Sequence, residues 1–316
     1  VDPVVQSGSY VPLDITTEIR WNTKHDGLFR VHYDFAGKFY SDQELSNADE
    51  MEHRFFIGGS IDRPTERGSW YWSGRFVMER YQQDAFNRDT GEDLVSGTED
   101  VTGRSSYIKS GPRFFFEREW GKFGVGFKAS GYIRDYDETL DYLDLSHEHY
   151  TAGVHFSYRP WQRTQLRLSG EAGQRIYINR LAKDLTGTRF LGNDPLEYDY
   201  VSGGLTLRQK FTRNLSMAFD YRYTERTDRF EGYEDYTRHL GRVGLRYFSK
   251  RLRARAGYSM RTYDFANAFA YDNPTAELRT LDSSYAELQA EYYFTDHFGV
   301  SVNVEKDLVE SNDARS

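Results

Sequence analysis

Residues 29–39 read FRVHYDFAGKF, which alternates between two faces over 11 residues. Apolar or small side chains hold the odd positions and mostly polar ones the even positions: Phe29, Val31, Tyr33, Phe35, Gly37 and Phe39 against Arg30, His32, Asp34, Ala36 and Lys38. A period of two is typical of a β-strand with one apolar face. The length exceeds the ~5–6 residues of a usual globular strand and matches the ~9–11 that cross a bilayer at a tilt. The segment therefore predicts a membrane-spanning strand.

The same alternation recurs along the chain and predicts fourteen strands. They span residues 13–22, 29–39, 54–62, 70–81, 107–118, 123–134, 149–158, 165–177, 200–210, 215–226, 237–247, 252–263, 284–293 and 298–306. Short turns follow at 24–27, 121–122, 160–162, 212–214, 249–251 and 295–297, and longer connections lie between them at 41–50, 82–105, 136–146, 178–197, 227–235 and 265–282. Short turns on one rim and long loops on the other predict an all-β, antiparallel up-and-down barrel, with the short turns in the periplasm.

The composition excludes several other classes of protein. The chain has 316 residues, of which 38% are apolar and 16% aromatic, with a net charge of −8 and no Cys. The apolar share is below the ~45–50% of soluble domains, while disordered chains are poor in aromatic residues. No apolar run is long enough for a membrane-spanning helix. The missing Cys rules out disulfides, thiolate zinc sites and Cys nucleophiles, and the negative charge disfavours nucleic acid as a partner.

The polar strand faces carry large charged side chains, which do not suit a soluble barrel with an apolar interior. Fourteen strands also enclose more space than side chains fill, since ~8 strands already make a full interior. We therefore expect a wide, wet lumen with apolar groups facing lipid. Aromatic residues beside the short turns predict an interfacial belt: Trp120, Phe123, Tyr158, Trp161, Phe211, Phe248, Phe294 and Phe298.

The charged residues of the predicted lumen fall into two groups. The basic wall comprises Arg167, Arg175, Arg208, Lys210, Arg222, Arg226, Arg242, Arg246, Arg253, Arg255 and Arg261, from the eighth to twelfth strands. The acidic wall comprises Glu287, Glu291, Glu305, Asp14, Glu18 and Asp34, from the last two and first two strands. Such walls can neutralise each other across water and can also create a transverse field that orients hydrated solutes.

The chain resembles bacterial outer-membrane β-barrels over essentially its whole length. The segments 240–248 (LGRVGLRYF) and 286–294 (AELQAEYYF) carry the resemblance, together with turns of aromatic, polar and then apolar residues. It is most similar to the loosely defined β-barrel porin families, some of which are associated with exopolysaccharide export. The resemblance implies a place in the bacterial outer membrane and supplies no catalytic residue.

Residues 1–316 are predicted to form a single barrel domain. Barrels of this class commonly end in a strand whose last residue is Phe or Trp, whereas this chain ends in DLVESNDARS. Both ends are predicted to lie at the long-loop rim, so we expect one further strand at each end and sixteen in the complete protein. A closed barrel of fourteen strands is the alternative, since strand numbers in this class are even.

No residue pattern points to catalysis, a metal or another cofactor. His147 and His149 flank Glu148 near Asp141 and Asp144, but the spacing is that of an acidic loop entering a strand rather than of a metal site. Residues 89–93 lack the alternating ligands of a calcium loop, and no Gly-x-Ser-x-Gly elbow occurs. We predict that the protein is not an enzyme.

Two functions remain after these exclusions. The first is a passive channel for hydrated polar or anionic solutes or exported polysaccharide, with loop 82–105 as the constriction. The second is an assembly barrel that holds a lipoprotein, filament or cytochrome. The expected partners are outer-membrane lipid and lipopolysaccharide, and a periplasmic or surface protein for the second function. The acidic loops are predicted to be extracellular, where they are either simply solvated, as polar loops usually are, or bridged to the lipopolysaccharide by divalent cations.

The orientation of strand 29–39 gives a direct test. An Arg in place of Val31 at the membrane midplane should cost roughly 2–4 kcal/mol and impair assembly, whereas His32→Arg should be tolerated in the lumen. In labelling experiments, Val31→Cys should react only with lipid-soluble reagents and His32→Cys with water-soluble ones. The reverse labelling pattern would remove the membrane interpretation.

Overall fold

Fourteen long strands form one antiparallel sheet in which each strand pairs with its neighbours in sequence. The computed structural model describes residues 10–23, 27–40, 50–83, 95–96, 99–100, 106–137, 145–270, 277–295 and 298–312. Within these ranges no helix is long and apolar enough to cross a membrane. The sheet is the up-and-down arrangement predicted from the sequence.

The strands are numbered here in chain order. They are β1 (Tyr10–Asn22), β2 (Gly27–Tyr40), β3 (Glu50–Thr65), β4 (Gly68–Gln83), β5 (Tyr107–Trp120), β6 (Phe123–Tyr136), β7 (His147–Trp161), β8 (Thr164–Leu181), β9 (Pro195–Lys210), β10 (Leu215–Asp228), β11 (Tyr236–Phe248), β12 (Leu252–Phe269), β13 (Leu278–Tyr293) and β14 (Gly299–Ser311). A separate two-residue ladder joins Val95–Ser96 to Glu99–Asp100.

All fourteen predicted strands are confirmed, but several are longer than predicted. β3 begins at Glu50, β8 continues to Leu181, β9 begins at Pro195 and β12 continues to Phe269. These extensions lie at the long-loop rim. Antiparallel hydrogen bonding continues there, although the alternation of apolar and polar residues no longer marks these positions in the sequence. The long connections are correspondingly shorter than their sequence pattern indicates.

The two faces of the sheet have opposite chemistry, as β7 illustrates. His155 and Ser157 are each only 5% exposed, whereas Val154 is 46% and Phe156 60% exposed. This order is the inverse of a soluble domain, where apolar side chains are buried. The apolar side chains of this strand therefore lie on the exposed face of the sheet and the polar ones on the buried face.

The sheet curves so that the charged face is concave. Arg167 on β8 donates from Nη2 to Glu117 Oε1 on β5 at 3.2 Å, across the two intervening strands. His155 on β7 lies between them and approaches the same carboxylate oxygen from Nε2, also at 3.2 Å. Contacts between strands that are not neighbours require a curved sheet with these side chains on its concave face, so this face lines the interior of the curve.

β1 and β14 lie at the two ends of the strand order. The apolar face continues on both of them, in Val11 and Ile15 on β1 and in Val302 and Val304 on β14. The expected further strand beyond each end stays a prediction. The predicted constriction, loop 82–105, lies outside the described residues apart from its first two residues and the short ladder at 95–100.

Gly111 on β5 offers a test of strand packing. A Cβ at this position would overlap the carbonyl oxygen of Gly131 on β6, which is backbone and cannot rotate away. Gly111→Ala should therefore cost roughly 1–3 kcal/mol, the usual range for overpacking. The measurement is the temperature at which the folded form is lost in heat-modifiable gel migration.

The matched control is Gly74→Ala on β4, because a Cβ there would meet nothing within 4 Å. Equal melting temperatures for the two variants would contradict the close approach of β5 and β6.

Candidate functional site: the charged interior

The arginines predicted for the basic wall share the concave face of the sheet, because residues directly paired in an antiparallel ladder lie on the same face. Arg246 pairs with Arg255 across β11 and β12, and Arg253 pairs with Glu291 across β12 and β13. The remaining members keep the same alternation on their strands: Arg167, Arg175, Arg208, Lys210, Arg222, Arg226, Arg242 and Arg261. The structure thus brings this group onto one continuous surface.

The predicted acidic residues also lie on this face, and part of the group contacts the basic wall. Arg255 Nε lies 3.2 Å from Glu287 Oε1, and Arg253 Nη1 lies 3.8 Å from Glu291 Oε2. Glu305 on β14 is directly opposite Glu287. The boundary between the two walls is therefore neutralised at β12 and β13.

His32 organises the acidic residues of β1 and β2. Its Nδ1 lies 3.2 Å from Glu18 Oε2 and its Nε2 lies 2.6 Å from Asp34 Oδ2. Thr16 donates a further hydrogen bond to Asp34 at 2.8 Å. The imidazole stacks on Phe56 with a centroid separation of 4.5 Å. Sequence alternation placed His32 in the lumen but did not indicate that it joins two carboxylates.

Sequence reasoning missed a second basic group on the opposite side of the interior. Arg30, Arg75, Arg113 and Lys128 lie on β2, β4, β5 and β6, and they line a cavity of about 560 Å³ together with Arg222 of β10. Each occupies an inward position of its strand, so the alternation that identified the first group was already a sufficient signal. Their convergence with Arg222 depends on the curvature of the sheet.

A larger cavity of about 1,000 Å³ lies along β9 to β14. Arg242, Arg246 and Arg261 line it, and Glu287 and Asp307 supply negative charge. The two cavities place open volume beside charged side chains on the same concave face. This arrangement suits the passage or binding of hydrated solutes rather than an apolar ligand.

Arginine and aromatic side chains interleave where the strands approach the long-loop rim. Arg226 lies 4.2 Å from the ring centroids of both Tyr198 and Tyr236, and Arg134 lies 4.3 Å from that of Tyr107. A guanidinium over an aromatic ring is attracted by the electrons of the ring face, on which its planar group can stack. These contacts stiffen the rim at β5–β6 and β9–β11.

Two connections are anchored to this rim through Glu234. Glu234 lies in the connection between β10 and β11, and Lys183 lies in the connection between β8 and β9. The Glu234 carboxylate accepts a hydrogen bond from the Tyr198 hydroxyl and lies 3.0 Å from Lys183 Nζ. Tyr177, Ala182 and Tyr198 form part of the buried apolar cluster beneath it. Burial opposes ionisation of Glu234, but Lys183 and the Tyr198 hydroxyl outweigh it and lower the pKa to about 2.

His147 and His149 lie on the inward face of β7 and contact aromatic rings. Tyr132 is 5.8 Å from the His147 ring and 5.1 Å from the His149 ring. In the ranges that the structure covers, no three His, Cys, Asp or Glu side chains converge as metal ligands. Asp141, Asp144 and residues 89–93, the other positions weighed for metal binding, lie outside the described residues.

The fold is similar to that of a known transporter structure. No protein-family model and no curated protein sequence matches the chain. Among solved structures, a chain described as the copper transporter OprC aligns with a TM-score of 0.53 and 12% sequence identity. The alignment covers 96% of this chain and 55% of that one, so this chain spans about half the length of OprC. At this identity the likeness establishes a shared fold.

The anchor at Glu234 predicts a pH-dependent rim. Because its pKa is lowered from the usual 4.5 to about 2, its stabilising contribution is complete above pH 4.5 and is lost as the pH falls toward 2. Glu234→Gln should speed hydrogen exchange in residues 183–194 at pH 7, since the ion pair with Lys183 is lost. After correction for intrinsic rates, the difference from wild type should shrink between pH 4.5 and 2.

Glu225→Gln is the control, because Glu225 is an exposed carboxylate on the outward face of β10. A Glu234→Gln difference that does not change with pH would contradict the assigned anchor.

Proposed function

We propose that this protein is a bacterial outer-membrane channel through which hydrated polar or anionic solutes, including exported polysaccharide, pass along the charged interior. The observation that carries the proposal is open volume on the concave face, in cavities of about 560 and 1,000 Å³ lined by arginine. Charged linings of this kind select solutes by sign and hydration. The fold shared with OprC, a protein described as a transporter, supports a role in transport.

The outward face supports the membrane location. A strand that crosses a bilayer must satisfy its backbone groups internally, and a barrel does this while exposing apolar side chains to lipid. Rings near the short turns, such as Trp120, Trp161 and Phe211, are 43%, 71% and 46% exposed and suit an interfacial belt. We place the short turns in the periplasm and the long acidic loops outside, where they would meet lipopolysaccharide through divalent cations.

Planar-bilayer recording with purified, refolded protein tests the proposal. We expect conductance steps in KCl and, under a salt gradient, a reversal potential that indicates preference for chloride. Arg242→Gln combined with Arg261→Gln should reduce this preference, because both arginines line the larger cavity.

Arg80→Gln is the matched control, since Arg80 is on the outward face and pairs with Asp137 at the rim. Folded protein without conductance above background would contradict the channel. Copurification of a second chain with such a silent barrel would favour the assembly role instead.

A further inference from the structure

We propose that the smaller cavity is a binding site for a multivalent oxyanion, a phosphate or sulfate group either free or as an ester on a larger solute. The inference deepens the proposed channel function, because it assigns a solute chemistry to one position along the interior. It rests on the side chains that line the cavity and on their ion pairs.

Four guanidinium groups reach this cavity from two sides of the interior. Arg30, Arg75 and Arg113 come from β2, β4 and β5, and Arg222 comes from β10, five strands beyond β5. The volume of about 560 Å³ lies within the ~300–1,000 Å³ typical of small-ligand pockets. A group bound here would be surrounded by positive charge rather than attached to one wall.

Arg75 and Arg113 are direct register partners on adjacent strands. Like charges directly opposite each other in a sheet are destabilising unless a counter-charge lies near. Among the residues that the structure describes, no carboxylate lies within 4 Å of Arg30, Arg75, Arg113 or Arg222. Elsewhere on this face arginines do find carboxylates, as Arg255 does with Glu287 at 3.2 Å. The charge of the four arginines around this cavity is therefore left without a carboxylate partner from the protein itself.

The one carboxylate among the residues lining the cavity does not change this balance. Glu171 of β8 forms an ion pair with Lys128 of β6, and these two charges cancel. The four arginines remain as the net charge of the cavity. A solute with a single negative charge would leave most of it uncompensated, which favours an anion of higher charge.

The donor geometry fits an oxyanion. The planar guanidinium presents paired N–H donors that match phosphate and sulfate oxygens. The hydroxyls of Ser60 and Ser73 add neutral donors, and Tyr71 and Phe115 supply aromatic surface. These rings would contact the ring of a sugar that carries the anionic group, so free and esterified oxyanions share the same arginines and differ at the aromatic surface.

Equilibrium binding to the purified full chain in detergent tests the site without requiring an open channel. Isothermal titration with inorganic phosphate should detect binding to wild type. Arg75→Gln and Arg113→Gln should each weaken it at least tenfold, and the double variant should abolish measurable binding.

Parallel titrations with sulfate and glucose 6-phosphate separate the two sources, since tighter binding of the ester would assign the site to a phosphorylated sugar. Acetate, which carries one charge, should bind at least tenfold more weakly than phosphate.

The matched control is Arg246→Gln, which removes a lumen arginine that lines the other cavity and should leave phosphate affinity unchanged. Heat-modifiable gel migration verifies that every variant is folded, and Arg75→Lys replaces Arg75→Gln if the latter fails to fold. The lysine variant keeps the charge but loses the forked donors and should weaken binding.

Two results would overturn the inference: no phosphate binding to folded wild type, or equal loss of affinity in Arg75→Gln and Arg246→Gln. Conductance is a separate readout. A conducting protein that binds no phosphate retains the channel function and loses this site, whereas a silent protein that binds phosphate through Arg75 retains the site and loses the channel.

Discussion

Antiparallel backbone hydrogen bonding between neighbouring strands is the interaction on which the rest of this structure depends. A backbone N–H or C=O that is removed from water without a partner costs free energy, so each strand of the sheet must be paired along its length. The ladder from β1 to β14 provides this pairing, with 13 register pairs between β1 and β2 and 16 between β3 and β4. Once the ladder is formed, the period of two in the sequence decides which side chains lie on the apolar face of the sheet and which lie on the charged concave face.

The interior is neutralised unevenly, and this unevenness divides it into regions of different character. Glu117 compensates Arg167, and Glu287 compensates Arg255. Glu171 compensates Lys128. Compensated charges of this kind lower the cost of a polar interior, whereas an uncompensated group of arginines retains an electrostatic potential that acts on solutes.

The side chains at the long-loop rim pack differently from those in the middle of the strands. Here Tyr177, Leu196 and Tyr198 form a small apolar cluster inside the sheet, the reverse of the chemistry further down the strands. Arg226 stacks between aromatic rings, and the ion pair of Glu234 with Lys183 joins the connection between β10 and β11 to the connection between β8 and β9. A local core forms at this level because the connection between β8 and β9 contributes Ala182 to the cluster on the inner face of the strands.

The sequence alone determined the number of strands, their antiparallel order and the face of the sheet on which each side chain lies. All three follow from local periodicity and connection length. It also identified the arginines of β8 to β12 as a group, since the alternation along each strand places them on the same face of the sheet. Only the tertiary structure decided which charges meet. Arg222 joins Arg30 and Arg75 although 147 residues separate Arg75 from Arg222 in sequence. The physical reason is that alternation specifies the face of a strand, whereas the curvature of the sheet, which brings distant strands together, depends on the registers of all the ladders combined.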